Sequence, residues 1–558
     1  MQAAEGAVII AVDTETSGLR VREGMDYLMG ISIAYTFAGQ IVSAYFPFRH
    51  EHDNLDKAFI EPLKNLLESH RLVFHNAPFD LASLATIGIR PRGEIWDTQD
   101  MAHMYNENLP SKKLDWLAKY FLKDKKKRSS AFEKWIKLWG WATLPVDMMR
   151  EYAEWDAVLT LRLFKLLYAG LHKQELLPLW KIESPFIYSL HEMESNGIRI
   201  NLDECDKYAK IAHEEMERIE ADLGFAPSKP AELANLFFDV LGMPVLERTP
   251  GGKPSLNKNV MVQYDDMLSA SENPTAKLVL AYRGWQKADA TAYTGYPKLV
   301  APDGRIHPSF KIHGTKTGRL SCEKPNLQQI PRRSDKPWNG QIKKLFIPSD
   351  GYELWEFDYG QLEFRLASLY SGDEALISAW QNAEDPYQQV ADAVGITRQQ
   401  AKTLVLSILY GAGDGKVAYM LRITEGEAHA IRQNFKRQYP GLGRKMRAAT
   451  DRANEARFVK YWTGRKRHFT KFNPEEEHKA FNSILQGGGF EIVKRAITSL
   501  LPLSNSEHRM VLTVHDSIVF EIREDVVSSF VPQVVEVMEG ASKFSIPFVV
   551  EPKLWGAA

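Results

Sequence analysis

The amino-acid sequence predicts an α/β and α+β multidomain fold. At 558 residues the chain is long enough for about three or four domains, and its 44% hydrophobic and 25% charged residues are typical of a globular protein. Short apolar strands alternate with helical stretches over the first 175 residues, whereas the segment from Leu177 to Tyr296 is mostly helical. From about Arg305 strands return, separated by long helices. These patterns indicate an α/β unit, a helical arm and a mixed unit.

Apolar runs in the N-terminal unit predict its strands and helices. AVIIAV, GISIAY and QIVSAYFPF predict strands, and YAEWDAVLTLRLFKLLYAGL predicts a helix. Strands alternating with helices in this way are typical of an α/β arrangement.

The later units differ in pattern. The helical arm is interrupted by RTPGGKPSLNKN, whose Pro and Gly residues predict a flexible tip. Farther on, the strands LWEF and MVLTV are separated by long helices. We therefore expect one sheet that is assembled from distant segments.

The charges nearly cancel, with 70 basic against 71 acidic residues, so any surface for nucleic acid has to be local. Residues 112–137 hold ten Lys and Arg against three acids, and residues 452–471 hold seven against one. Such runs are usually solvated faces and gain interest only beside catalytic residues. Cys205 and Cys322 form no CxxC pair, which predicts a reducing compartment without a disulfide framework or zinc site. No apolar run is long enough for a membrane span.

Four acidic residues and a tyrosine form a first candidate site. The first strand is predicted to end at Asp13-Thr14-Glu15, a helix to begin near Asp80, and a later helix to present Tyr152 and Asp156 on one face. Each piece alone has an ordinary explanation, such as a helix N-cap or an exposed turn. Together, acids at strand ends and on a facing helix are how a protein holds two Mg²⁺ ions for phosphodiester hydrolysis.

Two further aspartates follow predicted strands. ELWEFDYGQLEFRLAS takes a strand to its end at Asp358 and then enters a helix, whereas MVLTVHDSIVFEI predicts a hairpin with Asp516 at its turn. Strand-end aspartates are ordinary turn residues, so neither alone indicates a site.

Between these aspartates one helix carries two cations, an apolar residue and an aromatic residue along a single stripe. Residues four apart drift by only about 40° around a helix, so Arg398, Lys402, Leu406 and Tyr410 share one side. A solvated face with a packed end does not explain why charge and stacking surface lie together. A triphosphate bound by the cations, with its base against the apolar end, explains it better.

The order DxE, NxxxD and YxxxD within an α/β unit resembles the DEDD-type 3′→5′ exonucleases that carry a tyrosine in their third motif. The resemblance implies an RNase H-like exonuclease domain over residues 1–175, in which Tyr152 positions the attacking water. The implied metal ligands are Asp13, Glu15, Asp80 and Asp156.

The remaining motifs, together with TGRLSCEKPNLQQIP, resemble the family A DNA polymerases of the bacterial DNA polymerase I type over nearly the whole chain. The resemblance implies a right-hand polymerase over residues 176–558. Its parts would be a thumb at about 201–304, a palm at about 305–372 and 475–558, and fingers at about 373–474. The compact layout, with no 5′ nuclease domain ahead of the exonuclease region, resembles phage or viral members.

The same resemblance implies roles for individual residues. Asp358 and Asp516 would be catalytic and would hold two Mg²⁺ ions. The residues implied in nucleotide binding are Lys343, Glu363 as a steric gate against a 2′-hydroxyl, Arg398, Lys402, Leu406 and Tyr410. The residues implied in DNA contacts are Arg319, Asn326, Gln328, Asn482 and Gln486 at the minor groove and His515 near the primer end.

Two residues depart from the familiar bacterial pattern. Leu406 stands where those members carry an aromatic residue, which bears on sugar discrimination and on the rate of incorporation. Ser517 replaces the acidic residue that usually follows the hairpin aspartate, so the hairpin offers one carboxylate fewer.

The resemblance implies a template-directed DNA polymerase with a proofreading 3′→5′ exonuclease, active in replication or repair and encoded by a phage or virus. Expected cofactors are two Mg²⁺ ions per active site, with Mn²⁺ as a substitute. Expected partners are primer–template DNA, deoxynucleoside triphosphates and a replisome helicase or primase, for a cytoplasmic monomer without membrane contact. One alternative is an exonuclease with a degenerate, DNA-gripping polymerase domain, which Leu406 and Ser517 motivate. Another is a non-catalytic scaffold.

Overall fold

The computed structural model describes residues 9–331, 336–469 and 477–556, with the backbone alone at 477 and 478. The chain divides into two compact units. The first comprises Met1–Asn196, Pro308–Gln328 and Tyr352–Leu554, and the second Gly197–His307, Gln329–Gly351 and Trp555–Ala558. The boundaries of thumb, palm and fingers stay a prediction.

The N-terminal part of the first unit is an α/β region built on a five-stranded sheet. Its elements are β1 (Ile9–Thr16), β2 (Leu28–Phe37), β3 (Gln40–Pro47), α1 (Ile60–Ser69), β4 (Arg71–Phe74), α2 (Ala77–Ala85), β5 (Ile95–Asp97), α3 (Thr98–Tyr105), α4 (Leu114–Leu117), α5 (Ser130–Trp139), α6 (Val146–Lys173) and α7 (Trp180–Asn196). The strand order is β3-β2-β1-β4-β5. Strand β1 runs antiparallel to β2 and parallel to β4.

The central strand β1 explains where the first acids lie. Its residues Ile10, Ala11 and Val12 are fully buried between the neighbouring strands and the long helix α6, which packs on β1, β2 and β3. Pairing with β2 continues to Thr16, so the predicted acidic tripeptide forms the last part of the strand.

The second unit is mainly helical. From Ile198 to Ile347 the elements are β6 (Ile198–Ile200), α8 (Leu202–Leu223), α9 (Pro230–Ala234), α10 (Lys258–Ser269), α11 (Thr275–Ala288), β7 (Arg305–Ile306), β8 (Ser309–Lys311), β9 (Ser321–Glu323) and β10 (Phe346–Ile347). Strands β8 and β9 belong to the first unit. The second unit has a core around the stacked rings of Phe237 and Tyr264 and a small sheet in the order β10-β6-β7.

The C-terminal part of the first unit contains a four-stranded antiparallel sheet and many helices. Its elements are β11 (Tyr352–Tyr359), α12 (Leu362–Ser371), α13 (Glu374–Gln381), α14 (Pro386–Val394), α15 (Arg398–Leu409), α16 (Asp414–Leu421), α17 (Glu425–Gln438), α18 (Pro440–Ala456), β12 (Phe458–Lys460), β13 (Lys466–His468), α19 (Glu477–Leu500), β14 (His508–Val514), β15 (Ser517–Arg523), α20 (Val527–Gly540) and β16 (Val550–Leu554). The order β14-β15-β11-β16 joins distant segments in one sheet, as the sequence predicts.

Two further sequence features have a structural counterpart. Cys205 and Cys322 are both buried as free thiols. Within the described ranges, the helices include none with the length and apolar character that crossing a membrane requires.

Candidate active sites

The first carboxylate set converges at the edge of the five-stranded sheet. Strand β1 supplies Asp13 and Glu15, helix α2 supplies Asp80 in its first turn, and helix α6 supplies Tyr152 and Asp156. All are buried except Asp13, which is half-buried. The structure therefore brings together all five residues that the sequence singles out.

The four acids strongly perturb one another. Burial raises the pKa of Asp13 to about 7, and the charge of Asp156 adds to the rise. Burial also raises the pKa of Glu15, with further contributions from the charges of Asp13 and Asp156. The pKa of Asp80 is raised by burial and then by Asp13. Carboxyls this close in a poorly solvated site ionise more readily when a cation lies beside them.

Asp80 is held in place from two sides. One of its oxygens, Oδ1, accepts hydrogen bonds from the backbone N–H of Thr14 at 3.0 Å and from the Thr14 hydroxyl at 2.7 Å. The start of α2 is fixed by Asp97, whose Oδ2 accepts from the N–H groups of Asn76 at 3.1 Å and Ala77 at 2.6 Å. Asp97 is not among the predicted site residues, although an aspartate at the end of a strand beside a helix is a recognisable capping signal.

Lys126 enters this cluster from the loop before α5. Its ammonium forms an ion pair with Asp156 Oδ2 and donates to the Tyr152 hydroxyl at 3.0 Å. Burial alone would lower the pKa of Lys126, but the charges of Asp156, Tyr152 and Asp13 raise it above its usual value. In the sequence Lys126 belongs only to a basic window, because nothing local indicates that it reaches the carboxylates.

The donor set fits a divalent cation. Carboxylate oxygens are the hard ligands that Mg²⁺ and Mn²⁺ prefer, and Asp156 Oδ1 is buried without a hydrogen-bond partner. Over residues 9–331, 336–469 and 477–556, no three His, Cys, Asp or Glu side chains already surround one common metal position. The other oxygen of Asp156 is taken up by Lys126.

The second pair of aspartates meets at one end of the four-stranded sheet. Asp358 near the end of β11 lies opposite Ser517 at the start of β15, and the Tyr359 N–H donates to the carbonyl of Asp516 at 3.4 Å. Opposed residues of an antiparallel pair are about 5 Å apart, so the aspartates are close neighbours. His515, with φ 57°, makes the tight turn of the hairpin and is exposed.

Ser517 faces a carboxylate from the neighbouring strand. Its buried hydroxyl donates to Glu356 Oε1 at 3.0 Å. Glu356 precedes Asp358 by two residues and so lies on the same face of β11. The hairpin motif predicts one carboxylate fewer and does not include Glu356, although an acid two residues before Asp358 is a usable signal.

Glu363 lies in the first turn of α12 and is held by two predicted site residues. Arg319 forms an ion pair with Glu363 Oε1, and the Tyr410 hydroxyl donates to Oε2 at 2.6 Å. Burial raises the pKa of Tyr410, and the charges of Glu363 and Asp516 add to the rise. The structure thus joins the proposed sugar gate, a proposed DNA contact and the aromatic end of the stripe.

Helix α12 is fastened beside β11. The buried guanidinium of Arg365 donates to the carbonyl of Gly360 at 2.9 Å and to the carbonyl of Pro547 at 2.7 Å. The same guanidinium lies 4.2 Å over the ring of Trp380. These contacts fix the turn of the helix that carries Glu363.

Helix α15 begins with a capping box. The Thr397 hydroxyl accepts from the Gln400 N–H, and the Gln400 side chain accepts from the Thr397 N–H. Arg398 follows and forms an ion pair with Asp385 at the start of α14. Both neighbours therefore orient the first cation of the stripe.

The stripe on α15 lies along one side of the helix, as its spacing predicts, and the structure leaves that side open. Its residues are the exposed Arg398 and Lys402, the half-buried Leu406 and the exposed Tyr410, which follows the helix directly. Between them Leu404 and Val405 are fully buried.

The remaining predicted contacts lie in several places. On α19, Asn482 and Gln486 are half-buried one turn apart, and Asn482 Oδ1 has no hydrogen-bond partner. In the segment after β9, the exposed Asn326 accepts a hydrogen bond from the N–H of the buried Gln328 at 3.2 Å. Lys343 belongs to the second unit, where its ammonium lies 4.3 Å over the Trp555 ring.

Comparisons with known proteins match both halves of the chain. Residues 1–171 match the family described as 3′-5′ exonuclease, and residues 200–556 match DNA polymerase family A. The order of the two regions is the one that the motifs predict.

Proteins with similar sequences are named as DNA polymerases. DNA polymerase I of Pseudomonas aeruginosa is 29% identical over 98% of this chain and 63% of its own length. The thermostable DNA polymerase I of Thermus aquaticus is 30% identical over 73% of the chain and 52% of its own length, so the chain spans roughly half to two thirds of these relatives. DNA polymerase DpoZ of Salmonella phage PMBT28 is 29% identical over 91% of the chain and 89% of its own length.

A solved structure supports the fold. The POL domain of Pol1 from M. smegmatis, in a complex with DNA primer-template and dNTP, superposes with a TM-score of 0.85 over 99% of this chain and 96% of that chain. At 23% identity this similarity speaks for the fold alone. Together with the matched sequence families, it confirms an exonuclease region followed by a polymerase region. The chain belongs to DNA polymerase family A and carries a 3′-5′ exonuclease region at its N-terminal side.

Proposed function

We propose that this chain is a template-directed DNA polymerase that extends a primer 3′ end with deoxynucleotides and proofreads it with a 3′→5′ exonuclease. The observation that carries the proposal is the meeting of Asp358 and Asp516 at one sheet end, close to the linked side chains of Glu363 and Tyr410. Nucleotide addition needs a pair of carboxylates to hold metal ions, and a fixed side chain such as Glu363 beside them can contact the sugar of the incoming nucleotide. Family A polymerases and their exonucleases generally depend on divalent metal ions.

At the polymerase site Asp358 and Asp516 would hold two ions, for which we propose Mg²⁺ with Mn²⁺ as a substitute. Bound there, the ions would supply activation of the primer 3′-hydroxyl and neutralisation of the charge that develops on the phosphate. The exposed Arg398 and Lys402 bind the triphosphate, and Leu406 contacts the base or sugar. Lys343, which lies in the second unit, is proposed for nucleotide binding on the family resemblance alone.

Selection of deoxynucleotides follows from Glu363. Its two carboxylate oxygens are held separately by Arg319 and Tyr410, so the side chain cannot readily swing aside. Packed against the sugar, it leaves no space for a 2′-hydroxyl. The residues that we assign to the nascent duplex are Arg319, Asn326, Gln328, Asn482, Gln486 and His515.

At the exonuclease site the four carboxylates would hold the two ions, which would supply a hydroxide and stabilise the leaving oxygen. The Tyr152 hydroxyl, fixed on α6 one turn from Asp156, orients the attacking water. Asp13 and Glu15 from β1 and Asp80 from α2 complete the proposed ligand set beside the terminal phosphate.

The phage relative, which the chain covers over 89% of its length, favours a polymerase that replicates phage DNA in the host cytoplasm. We propose that it acts as a monomer on primer–template DNA alongside a helicase and primase.

The test is a gel assay of an end-labelled primer on a longer template with Mg²⁺. Asp516→Ala should lower extension by about a thousandfold or more and leave 3′ shortening intact, because it removes a metal ligand of one site only. Asp156→Ala should do the reverse. The controls are Asp525→Ala, an exposed acid just after β15, and Asp147→Ala, a 91% exposed acid on the same helix as Asp156.

Persistent extension by the Asp516→Ala variant would overturn the polymerase assignment. Shortening by the unaltered chain both with and without deoxynucleotides would favour the exonuclease with a degenerate polymerase domain, with Leu406 and Ser517 as the first residues to restore.

A further inference from the structure

We propose that Lys126 is a built-in cation that occupies the metal position of the exonuclease carboxylates and has to leave before two divalent ions bind. The inference rests on the proposed exonuclease function. It makes Lys126 a positioning residue that keeps the acid cluster folded without metal and weakens its affinity for metal.

The ammonium of Lys126 contacts the carboxylate and the hydroxyl that helix α6 supplies to the cluster. It pairs with one oxygen of Asp156 and contacts the Tyr152 hydroxyl at 3.0 Å, and its charge also acts on Asp13 and Glu15. The Lys126 side chain is only 16% exposed, so its ion pair with Asp156 is largely shielded from solvent.

The backbone around Lys126 is anchored on α6 and delivers the side chain to this place. On the N-terminal side, Asp124 forms an ion pair with Arg162 at 2.6 Å. The indole N–H of Trp155 donates to the carbonyl of Lys125 at 2.9 Å, and the Lys127 ammonium lies 4.3 Å over the Trp155 ring. The segment is therefore docked along the helix that bears Tyr152 and Asp156.

Charge balance makes the ammonium and the ions competitors. Two divalent ions would match the charge of four carboxylates, whereas an additional ammonium paired with Asp156 would leave a positive charge uncompensated. An unpaired charge in a poorly solvated site is costly. A lysine stem is flexible, so the ammonium can swing out to solvent while the anchored backbone stays in place.

The test is Mn²⁺ binding to the full chain, followed by electron paramagnetic resonance. The double change Asp358→Asn and Asp516→Asn removes Mn²⁺ binding at the polymerase site. Of the Mn²⁺ binding that remains, the part that Asp13→Ala abolishes is assigned to the exonuclease site. On this background Lys126→Met should tighten Mn²⁺ binding by about tenfold, the effect of removing one partly buried competing charge. Lys127→Met, with the same charge change in the same segment away from the carboxylates, should leave it unchanged, and Lys126→Arg should keep it weak.

Unchanged or weaker binding by Lys126→Met would overturn the inference. Absence of any Asp13-dependent Mn²⁺ in the Lys126-containing chain would instead overturn the proposed metal site, so the two failures are distinguishable.

A second measurement does not depend on the folding of a variant. In the unaltered chain, acetylation of Lys126 followed by mass spectrometry should rise severalfold when Mn²⁺ is added, because the ammonium moves out to solvent. Lys127 serves as the internal control, and equal protection of Lys126 with and without Mn²⁺ would contradict the displacement.

Discussion

At the scale of single residues, both sites depend on side chains that are held by partners from other segments. Asp80 is fixed by Thr14, which is 66 residues away in the chain, and Glu363 by Arg319 and Tyr410. A carboxylate that accepts well-aligned hydrogen bonds loses rotamer freedom before any ligand arrives. The residues that we propose for the chemistry were visible in the sequence, but the residues that hold them were mostly not.

Glu356 carries a prediction at this scale. Glu356→Gln removes a buried negative charge beside Ser517 and close to Asp358 without changing the shape of the side chain. We expect extension to slow by about tenfold at a fixed low Mg²⁺ concentration and to recover at higher concentration, because the ions lose an attractive charge nearby. Steady-state extension as a function of Mg²⁺ is the measurement.

The control for this change is Glu524→Gln, an exposed acid just after β15. Exonuclease shortening should be the same in all three chains. If the Mg²⁺ concentration needed for extension is unchanged in Glu356→Gln, Glu356 does not take the place of the acidic residue that Ser517 replaces.

At the scale of elements, helix α15 and the residue that follows it present one stripe. The stripe consists of two cations, the apolar side chain of Leu406 and the ring of Tyr410. The direction of the helix is set by the capping box at its start and by the burial of Leu404 and Val405 on the opposite side. The four-residue spacing was enough to predict the face, because helix geometry alone decides which side chains share a side. The tertiary structure decided that this face stays open.

Thr397→Ala tests the role of the helix start. The change removes the N-cap hydrogen bond and should lower the free energy of unfolding by about 1 kcal/mol. Because Arg398 is the next residue, we also expect a rise of several-fold in the KM for deoxynucleotides with a smaller effect on kcat. Thermal unfolding and steady-state kinetics check both expectations.

Thr403→Ala, in the middle of the same helix, is the matched control because its hydroxyl bonds only to the Gln399 carbonyl of the preceding turn. Equal KM values for the two variants would show that the cap does not orient the triphosphate cations.

At the scale of the whole first unit, a buried ionic network joins segments that are far apart in the chain. Arg465 pairs with Glu183 on α7 and, at 2.6 Å, with Glu491 on α19, and Lys494 lies 2.7 Å from Glu183. All four side chains are buried. Breaking such a network by neutralising one partner leaves an uncompensated buried charge.

This network predicts a specific acid sensitivity. Burial alone would raise the pKa of Glu491, but Arg465 and then Lys494 lower it overall to about 2. Since this folded-state pKa lies below the unfolded value of 4.5, the stabilisation is fully present above about pH 4.5 and is lost as the pH falls toward 2. Glu491→Gln should cost about 3 kcal/mol at pH 7 and remove that part of the pH dependence.

Urea unfolding of the unaltered chain and of Glu491→Gln between pH 3 and pH 7 is the measurement. The difference in unfolding free energy should shrink as the pH falls. A difference that stays constant over this range would show that Glu491 does not titrate as the network requires. Glu536→Gln on α20 is the surface control.

Several sites could be predicted because their residues follow regular geometry or a motif order. The DxE on β1, the YxxxD on α6 and the stripe on α15 depend on strand alternation and helical turns, which are local properties. Asp97 and Glu356 each carried a local signal, a strand end beside a helix and an acid two residues before Asp358, but Lys126 carried none. Their roles come from contacts with residues 20 or more positions away, and no local pattern encodes those.

By itself the sequence determined the family and the order of its two regions, and it predicted the carboxylates of each site, because motifs of fixed spacing carry all three. Only the tertiary structure decided which groups surround those carboxylates. It placed the Lys126 ammonium against Asp156 and the Glu356 carboxylate against Ser517. The physical reason is that charge balance in a buried site is set by all the segments that pack there, and those segments meet only after folding.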